Sequence, residues 1–237
     1  MTLTPTGYMP RLIDDHIDRM LRIFGAVSIE GPKWCGKTWT ARNHSNSEMR
    51  VAGNTGPLRN RDIVLADINK ALVGDTPHLI DEWQEVPQIW DAVRYEVDNC
   101  SGKGKFILTG SSVPNRNSYI HSGAGRIGSV KMSTMSLYET GDSDGKVSLK
   151  DIMSGKAETV KCKAASYDGL VNIIVRGGWP GSLSIDGTDT SLVPREYVNL
   201  ALDDACRLDG RVRQFNKMKM LLRSLARNES TLASDAT

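Results

Sequence analysis

The sequence predicts an α/β fold, in which a mostly parallel sheet is flanked by helices and followed by a smaller helical region. Short apolar runs typical of buried strands alternate with longer amphipathic segments typical of helices. A glycine-rich segment directly follows the first apolar run, and polar side chains end two later runs. Because the carboxyl ends of parallel strands share one edge of a sheet, we expect these groups to meet there.

The composition is that of an ordinary globular chain. Its 237 residues are 39% hydrophobic and 24% charged, and the formal net charge of +2 indicates no general attraction to nucleic acid or membrane. The N-terminus lacks an export signal, and no apolar run approaches the ~20 residues that cross a bilayer. The cysteines are far apart, which disfavours a zinc site or a disulfide framework and favours a reducing cytoplasm. They are Cys35, Cys100, Cys162 and Cys206.

The segment 31–38 has the features of a phosphate-binding loop. It fits the pattern G-x-x-x-x-G-K-[ST] and lies between a predicted strand, 26–29, and a short predicted helix, 37–42. Its glycines allow a turn whose N–H groups point inward, and the helix adds its positive end. In such a loop Lys37 reaches the β- and γ-phosphates of a nucleotide and Thr38 binds Mg²⁺. The predicted nucleotide contacts are Gly31, Pro32, Lys33, Trp34, Cys35, Gly36, Lys37, Thr38 and Trp39.

Further elements are predicted around the loop from the hydrophobic periodicity. An amphipathic helix over 12–24 leads into the first strand, and a helix over 88–99 lies further along the chain. A weak strand is expected near 50–52 and a helix near 62–73. The segment 8–11 either offers a place for the base of a nucleotide or packs on the sheet as the start of the first helix.

Two carboxylates end the apolar strand predicted over 78–82. At the tip of a strand that neighbours the loop strand, Asp81 would hold the hydration shell of Mg²⁺. Glu82 would orient or deprotonate the attacking water. The alternative is that both acids cap the helix that begins near Val86, since acidic residues favour helix N-termini.

Two further polar positions are candidates for contact with phosphate. The strand predicted over 105–112 ends in hydroxyls, and Thr109 or Ser112 would contact the γ-phosphate or cap the next turn. The glycine-flanked Arg126 precedes a strand predicted over 130–135. It would deliver a guanidinium to a phosphate, in cis or into a neighbouring subunit, or it is an ordinary surface arginine.

The second half of the chain is predicted to be helical. A linker over 141–145 precedes a short helix capped by Ser148, and a buried helix begins at Tyr167 and ends at Gly177. Helices are also predicted over 195–208 and 212–227. In the last of these a set of apolar residues should face inward, and the basic face opposite either binds acidic partners or is solvated. The inward set is Phe215, Met218, Leu221, Leu222 and Leu225.

Several separate motifs in this chain occur together in one known group of proteins. They span 31–38, 79–84, 108–111, 123–127, 135–139, 176–180 and 224–228. With them the chain resembles the prokaryotic AAA-type P-loop ATPases that carry the C-terminal domain of unknown function DUF4143.

The resemblance implies ATP binding and hydrolysis with Mg²⁺. It implies that Thr109 is a phosphate sensor and Arg126 an arginine finger, and it is consistent with the roles given above to Lys37, Asp81 and Glu82. On this basis residues 1–140 form the ATPase domain, and residues 141–237 form a helical lid and the start of a truncated C-terminal region. A homo-oligomer is a further expectation.

A second hypothesis assigns the chain a different class of function. It would act as a nucleotide-dependent switch with negligible turnover, which binds DNA or protein through the basic or the missing C-terminal region. Slow hydrolysis would follow if the arginine finger has to come from a neighbouring subunit. A small-molecule kinase fits less well, because Asp81 and Glu82 together suit activation of water.

Overall fold

A computed structural model of the chain describes residues 2–110, 123–156, 159, 166–185, 187–207 and 214–229. The chain falls into two compact units. The first comprises Met1–Cys162 with Gly178–Leu183, and the second comprises Lys163–Gly177 with Ser184–Thr237. Within the described segments, no helix combines the length and the apolar character needed to span a bilayer.

The first unit contains both helices and strands. Its described helices are α1 (Asp14–Ile23), α2 (Lys37–Asn43), α3 (Asn60–Ala66), α4 (Gln88–Asn99) and α5 (Leu149–Met153), with 3₁₀ turns at Ile68–Ala71, Trp83–Glu85 and Pro180–Ser182. Its described strands are β1 (Ala26–Glu30), β2 (Ser47–Arg50), β3 (Asn54–Thr55), β4 (Leu58–Arg59), β5 (His78–Asp81), β6 (Phe106–Gly110) and β7 (Ile127–Lys131).

Five of these strands form one sheet in the order β2-β5-β6-β1-β7, and every pairing in it is parallel. The predicted α/β class with a mostly parallel sheet is therefore confirmed. One expectation was wrong: β6 lies between β1 and β5, so the strand that carries Asp81 is not the neighbour of the loop strand. β3 and β4 form a separate antiparallel hairpin.

The core consists of two apolar layers, one on each face of the sheet. Successive strand residues point to opposite faces, so Leu79 and Ile107 pack on one side while Ile80 and Leu108 pack on the other. The first layer includes Ile17 of α1 and residues of α2, and the second includes residues of α3 and α4. Helices thus cover both faces of the sheet, which leaves the edges formed by the strand ends available for ligand binding.

The structure corrects several predicted boundaries. The last strand is Ile127–Lys131 and not 130–135; Gly128 masks the strand signal, yet a side chain there would lie 2.6 Å from Met20 of α1. The helix predicted near 62–73 is divided at Asp67, whose carboxylate accepts a hydrogen bond from the Asn69 N–H and starts a separate 3₁₀ turn. The weak strand lies at Ser47–Arg50, slightly before its predicted position.

The second unit is helical, with α6 (Tyr167–Arg176), α7 (Leu192–Arg207), α8 (Phe215–Asn228) and a 3₁₀ turn at Gly187–Ser191. The predictions of a buried helix from Tyr167 and of an inward face on the last helix were wrong, because neither α6 nor α8 has a buried residue. Ile174 is 78% exposed and Leu225 is 56% exposed. α7 begins at Leu192, so Pro194 lies in its first turn, where a helix tolerates proline. Leu208, the predicted end of one helix, and Val212, the predicted start of the next, lie outside the described residues.

A buried histidine joins α1 to α2. His44 contacts Asp18 through Nδ1 at 2.8 Å and Asp14 through Nε2 at 3.1 Å, and the Tyr8 hydroxyl donates to Asp14 at 2.7 Å. Burial alone would lower the pKa of His44, but the hydrogen bond to Asp14 and the charge of Asp18 outweigh burial and raise the pKa above its usual value.

We expect His44 to make the fold more stable in mild acid. Because its pKa is raised in the folded state, its contribution is complete below the unfolded pKa of about 6.5 and fades as the pH rises through the folded pKa. The unfolding midpoint of wild type minus that of His44→Asn should fall between about pH 6 and about pH 8. A constant difference would contradict this. The variant is needed because burial lowers the pKa of His78, which acts in the opposite direction.

Candidate functional site

The phosphate loop lies at the carboxyl edge of the sheet, between the end of β1 at Glu30 and the start of α2 at Lys37. Two of its positions require glycine. A side chain on Gly31 would lie 2.2 Å from the carbonyl oxygen of Met132, and Gly36 has a φ of 100°. The sequence therefore shapes a tight loop whose backbone approaches a neighbouring segment closely.

Lys37 folds back over this loop. Its side chain is 6% exposed, and Nζ donates hydrogen bonds to the carbonyl oxygens of Gly31 at 3.0 Å and Pro32 at 2.8 Å. The loop backbone thereby holds a positive charge at the first turn of α2.

Asp81 connects three elements at the same edge. Its Oδ1 accepts hydrogen bonds from Thr38 Oγ1 of α2 at 2.8 Å and from Thr109 Oγ1 of β6 at 2.5 Å. Asp81 and Thr109 are paired residues in the register of β5 and β6. The structure thus brings together three side chains that the sequence marked separately, and Thr109 bonds this carboxylate instead of capping a turn.

Glu82 directly follows β5 in a left-handed backbone conformation, with φ 57° and ψ 46°. This conformation costs a residue other than glycine ~1 kcal/mol or more, and it turns the chain sharply away from the strand. Oε2 of Glu82 accepts a hydrogen bond from Nε2 of Gln84. The alternative role as a helix cap was wrong, since the N-cap of α4 is Pro87 and no side chain bonds there.

No role was predicted for Gln84 from its position in the sequence. Gly110, at the end of β6, makes room for it, because a side chain at position 110 would lie 2.7 Å from Gln84 Oε1. A strand that ends in glycine beside a polar turn is a weak signal, and it is not enough to predict the contact. The predicted contact of Ser112 lies outside the described residues.

The other predicted loop contacts differ in exposure. Trp34 is 49% exposed and Trp39 is 47% exposed, and Pro32 and Lys33 are exposed as well. Cys35 is fully buried in the apolar layer of Val27 and Ile29, and burial raises the pKa of its thiol. Its side chain therefore faces the core, and only its backbone is placed to contact a ligand of the loop.

A later segment also contacts the loop. Nε1 of Trp179 donates to the carbonyl oxygen of Lys33 at 3.3 Å, and Pro180 lies beside Gly36. No contact between this segment and the loop was predicted from the sequence. No local pattern connects positions so far apart along the chain, so the contact could not be found from spacing.

Arg126 lies at the opposite edge of the sheet. Its carbonyl oxygen accepts the N–H of Ala26 at the start of β1, so the five residues of β1, at ~3.3 Å each, separate it from the loop. Its Nε lies 2.8 Å from Asp98 Oδ1, and this hydrogen bond lowers the pKa of Asp98. The structure does not bring Arg126 to the loop of its own chain, and delivery to a neighbouring subunit stays a prediction.

The chain was compared with known proteins and families. Among solved structures, a Walker-type ATPase of Pyrococcus abyssi is similar to the chain, with 12% identity, a TM-score of 0.47, and coverage of 95% of this chain and 79% of that one. No curated protein matches. Residues 24–141 match the family model described as an AAA domain. The segment that holds the loop, Asp81 and Thr109 is therefore similar to AAA domains.

Proposed function

We propose that this chain binds ATP and hydrolyses it in a Mg²⁺-dependent reaction that drives a conformational change. The observation that carries the proposal is the carboxylate of Asp81, which accepts hydrogen bonds from both Thr38 and Thr109. A loop alone would support phosphate binding. A carboxylate joined to the loop threonine and to the next strand supports a site for a nucleotide with its metal ion.

The residues present fit Mg²⁺ and a triphosphate. Mg²⁺ prefers hard oxygen ligands, and the Thr38 hydroxyl and the Asp81 carboxylate supply oxygens at one point. Within the described residues Asp81 Oδ2 accepts no hydrogen bond, so Thr38 and Asp81 would hold the ion or its water shell. The bound ion would neutralise negative charge on the phosphates.

The remaining side chains would then have distinct roles. Lys37 would donate to phosphate oxygens, in place of the two loop carbonyls that it contacts now. The Thr109 hydroxyl would report on the phosphate through Asp81. Glu82 would orient the attacking water and accept its proton, which requires its carboxylate to leave Gln84.

Further parts of the proposal rest on the family resemblance. We assign residues 1–140 to the ATPase domain and residues 141–237 to a helical lid and a DUF4143-type region. Arg126 would act in a homo-oligomer, since its position at the far edge of the sheet suits contact with another copy. A cytoplasmic location stays a prediction.

The Asp81→Asn variant tests the metal-dependent part of the site. We expect it to weaken Mg²⁺·ATP binding by about tenfold or more, because a charge-assisted oxygen ligand is lost. ATP binding without Mg²⁺ should change little. Calorimetric titration of wild type and variant, with and without Mg²⁺, measures both. If wild type binds no ATP, or if Asp81→Asn leaves Mg²⁺·ATP binding unchanged, the proposed site is wrong.

A second candidate function is a nucleotide-dependent switch with negligible turnover. Two observations favour it: the Gln84 amide holds the carboxylate of Glu82, and Arg126 is remote from the loop. In the second unit, Arg195, Lys219 and Arg223 line a groove between α7 and α8 that suits an acidic protein or DNA.

Phosphate release measured against protein concentration separates the two candidates. A steep rise with concentration indicates assemblies that hydrolyse ATP, in which one copy supplies a group to another. Tight ATP binding without phosphate release at any concentration indicates a switch.

A further inference from the structure

We infer that Arg11 is a positioning residue that sets the backbone orientation of the phosphate loop. The inference rests on the proposed function of this loop and adds a residue outside the G-x-x-x-x-G-K-[ST] pattern. Arg11 lies before α1 and is far from the loop in sequence, yet its guanidinium is buried beside it.

Each nitrogen of the guanidinium has a defined partner. Nη1 donates to the carbonyl oxygen of Cys35 at 2.9 Å, Nη2 donates to the carbonyl oxygen of Ser133 at 2.9 Å, and Nε pairs with Oε1 of Glu139 at 2.9 Å. The Cys35 contact is in the middle of the loop. The other two contacts are in the segment that follows β7, which also supplies the Met132 carbonyl close to Gly31.

The contact with Cys35 orients a peptide group that the ligand would use. In a trans peptide the carbonyl oxygen of one residue and the N–H of the next point in opposite directions. A Cys35 carbonyl held toward Arg11 therefore aims the Gly36 N–H away from Arg11. Phosphate loops bind through N–H groups that point inward, so carbonyls have to be held outside. Arg11 does this at Cys35, two residues before the loop lysine.

Glu139 fixes the guanidinium in turn. Its Oε1 also accepts the Leu12 N–H at 2.8 Å, and its Oε2 accepts the Ser136 N–H at 2.7 Å and the Ser136 hydroxyl at 2.9 Å. Burial alone would raise the pKa of Glu139, but hydrogen bonds from Ser136, Leu12 and Arg11 outweigh it and lower the pKa. The carboxylate is therefore ionised and held at four points.

Geometry rather than charge is what Arg11 contributes. The side chains of Arg11 and Glu139 are only 5% and 7% exposed, and their opposite charges offset each other. Attraction of phosphate by Arg11 is correspondingly small, in contrast to Lys37. A planar guanidinium reaches three acceptors in fixed directions, and a lysine ammonium at the end of a flexible chain does not reproduce that geometry.

The test compares Arg11→Lys with a matched arginine variant. Arg42 of α2 pairs with Glu48 at 2.6 Å, and within the described part of the chain its side chain makes no hydrogen bond or ion pair with the loop. Arg42→Lys therefore removes an equivalent ion-pair geometry in the same unit. We expect Arg11→Lys to weaken ADP and ATP binding by about tenfold or more, and Arg42→Lys to leave both within about twofold of wild type. Titrations are made well below the unfolding midpoint of every variant.

Hydrogen exchange gives a second measurement, which distinguishes a local effect on the loop from general destabilisation of the fold. In Arg11→Lys the amides of 31–38 should exchange faster while those of β5 and β6 keep their rates. Glu139→Gln, which keeps the shape of the side chain, should change loop exchange and ADP affinity in the same direction and serves if Arg11→Lys does not fold.

The outcomes separate this inference from the proposed function. Unchanged ADP binding and loop exchange in both Arg11→Lys and Glu139→Gln overturn the inference, as does equal weakening by Arg42→Lys. If wild type binds ADP and Lys37→Ala does not, nucleotide binding by the loop, on which the proposed function depends, stands in either case. If wild type binds neither ADP nor ATP, the proposed function fails first, and altered exchange in 31–38 still tests whether Arg11 orders the loop.

Discussion

We expect Lys37→Ala to reduce ATP binding by about a hundredfold or more, since truncating one partner of a buried hydrogen-bonded charge contact costs ~2–5 kcal/mol. The Lys37 ammonium is buried within the loop and has two carbonyl partners there. Phosphate oxygens would be stronger acceptors than these carbonyls, because they are charged. A titration with a fluorescent ATP analogue measures the loss.

The matched control is Lys131→Ala. Lys131 is the last residue of β7, is exposed, and lies at the same edge of the sheet as the loop. Its removal takes away one positive charge near the site without changing the loop, and screening limits such an exposed charge to a small effect. Equal binding by wild type and Lys37→Ala, or equal losses in both variants, would show that the loop lysine is not a specific phosphate ligand.

The second large effect is expected from Glu82→Gln. It should lower the rate of ATP hydrolysis by about 10²–10⁴-fold, the usual contribution of a general base, and leave ATP affinity nearly unchanged. The amide keeps the size of the side chain but cannot accept a proton. Turnover is followed as phosphate release, and binding by titration of the same preparation.

Glu85→Gln is the control for this substitution. Glu85 ends the 3₁₀ turn that follows Glu82 and is exposed. Its N–H donates to the Glu82 carbonyl, so this backbone contact remains in the variant. We expect its turnover to match wild type. If Glu82→Gln hydrolyses ATP at the wild-type rate, Glu82 is not the base. If ATP binding is also lost, the carboxylate has a structural role at this turn.

Local sequence patterns predicted the bounds of some elements around the loop accurately. The residues of β1 and α4 were predicted almost to the residue, because continuous apolar runs and a 3.6-residue period are properties of neighbouring positions. The predicted position of β7 was displaced because Gly128 suggested a turn. In the structure, the glycine instead leaves room for α1 to pack against the strand. The exposure of Ile174 and Leu225 was not predicted, because an apolar face on a helix does not state what packs against it.

The side chains of the candidate site could be predicted from the sequence: a loop with Lys37 and Thr38, the acid Asp81 at the end of one strand, and the hydroxyl of Thr109 at the end of another. These depend on residue type and short spacing. The three-dimensional fold was needed to show that Asp81 bonds Thr38 and Thr109, that Arg11 bonds the Cys35 carbonyl, and that Arg126 lies at the far edge of the sheet. The physical reason is that strand order and strand direction place distant residues together or apart, and local spacing contains neither.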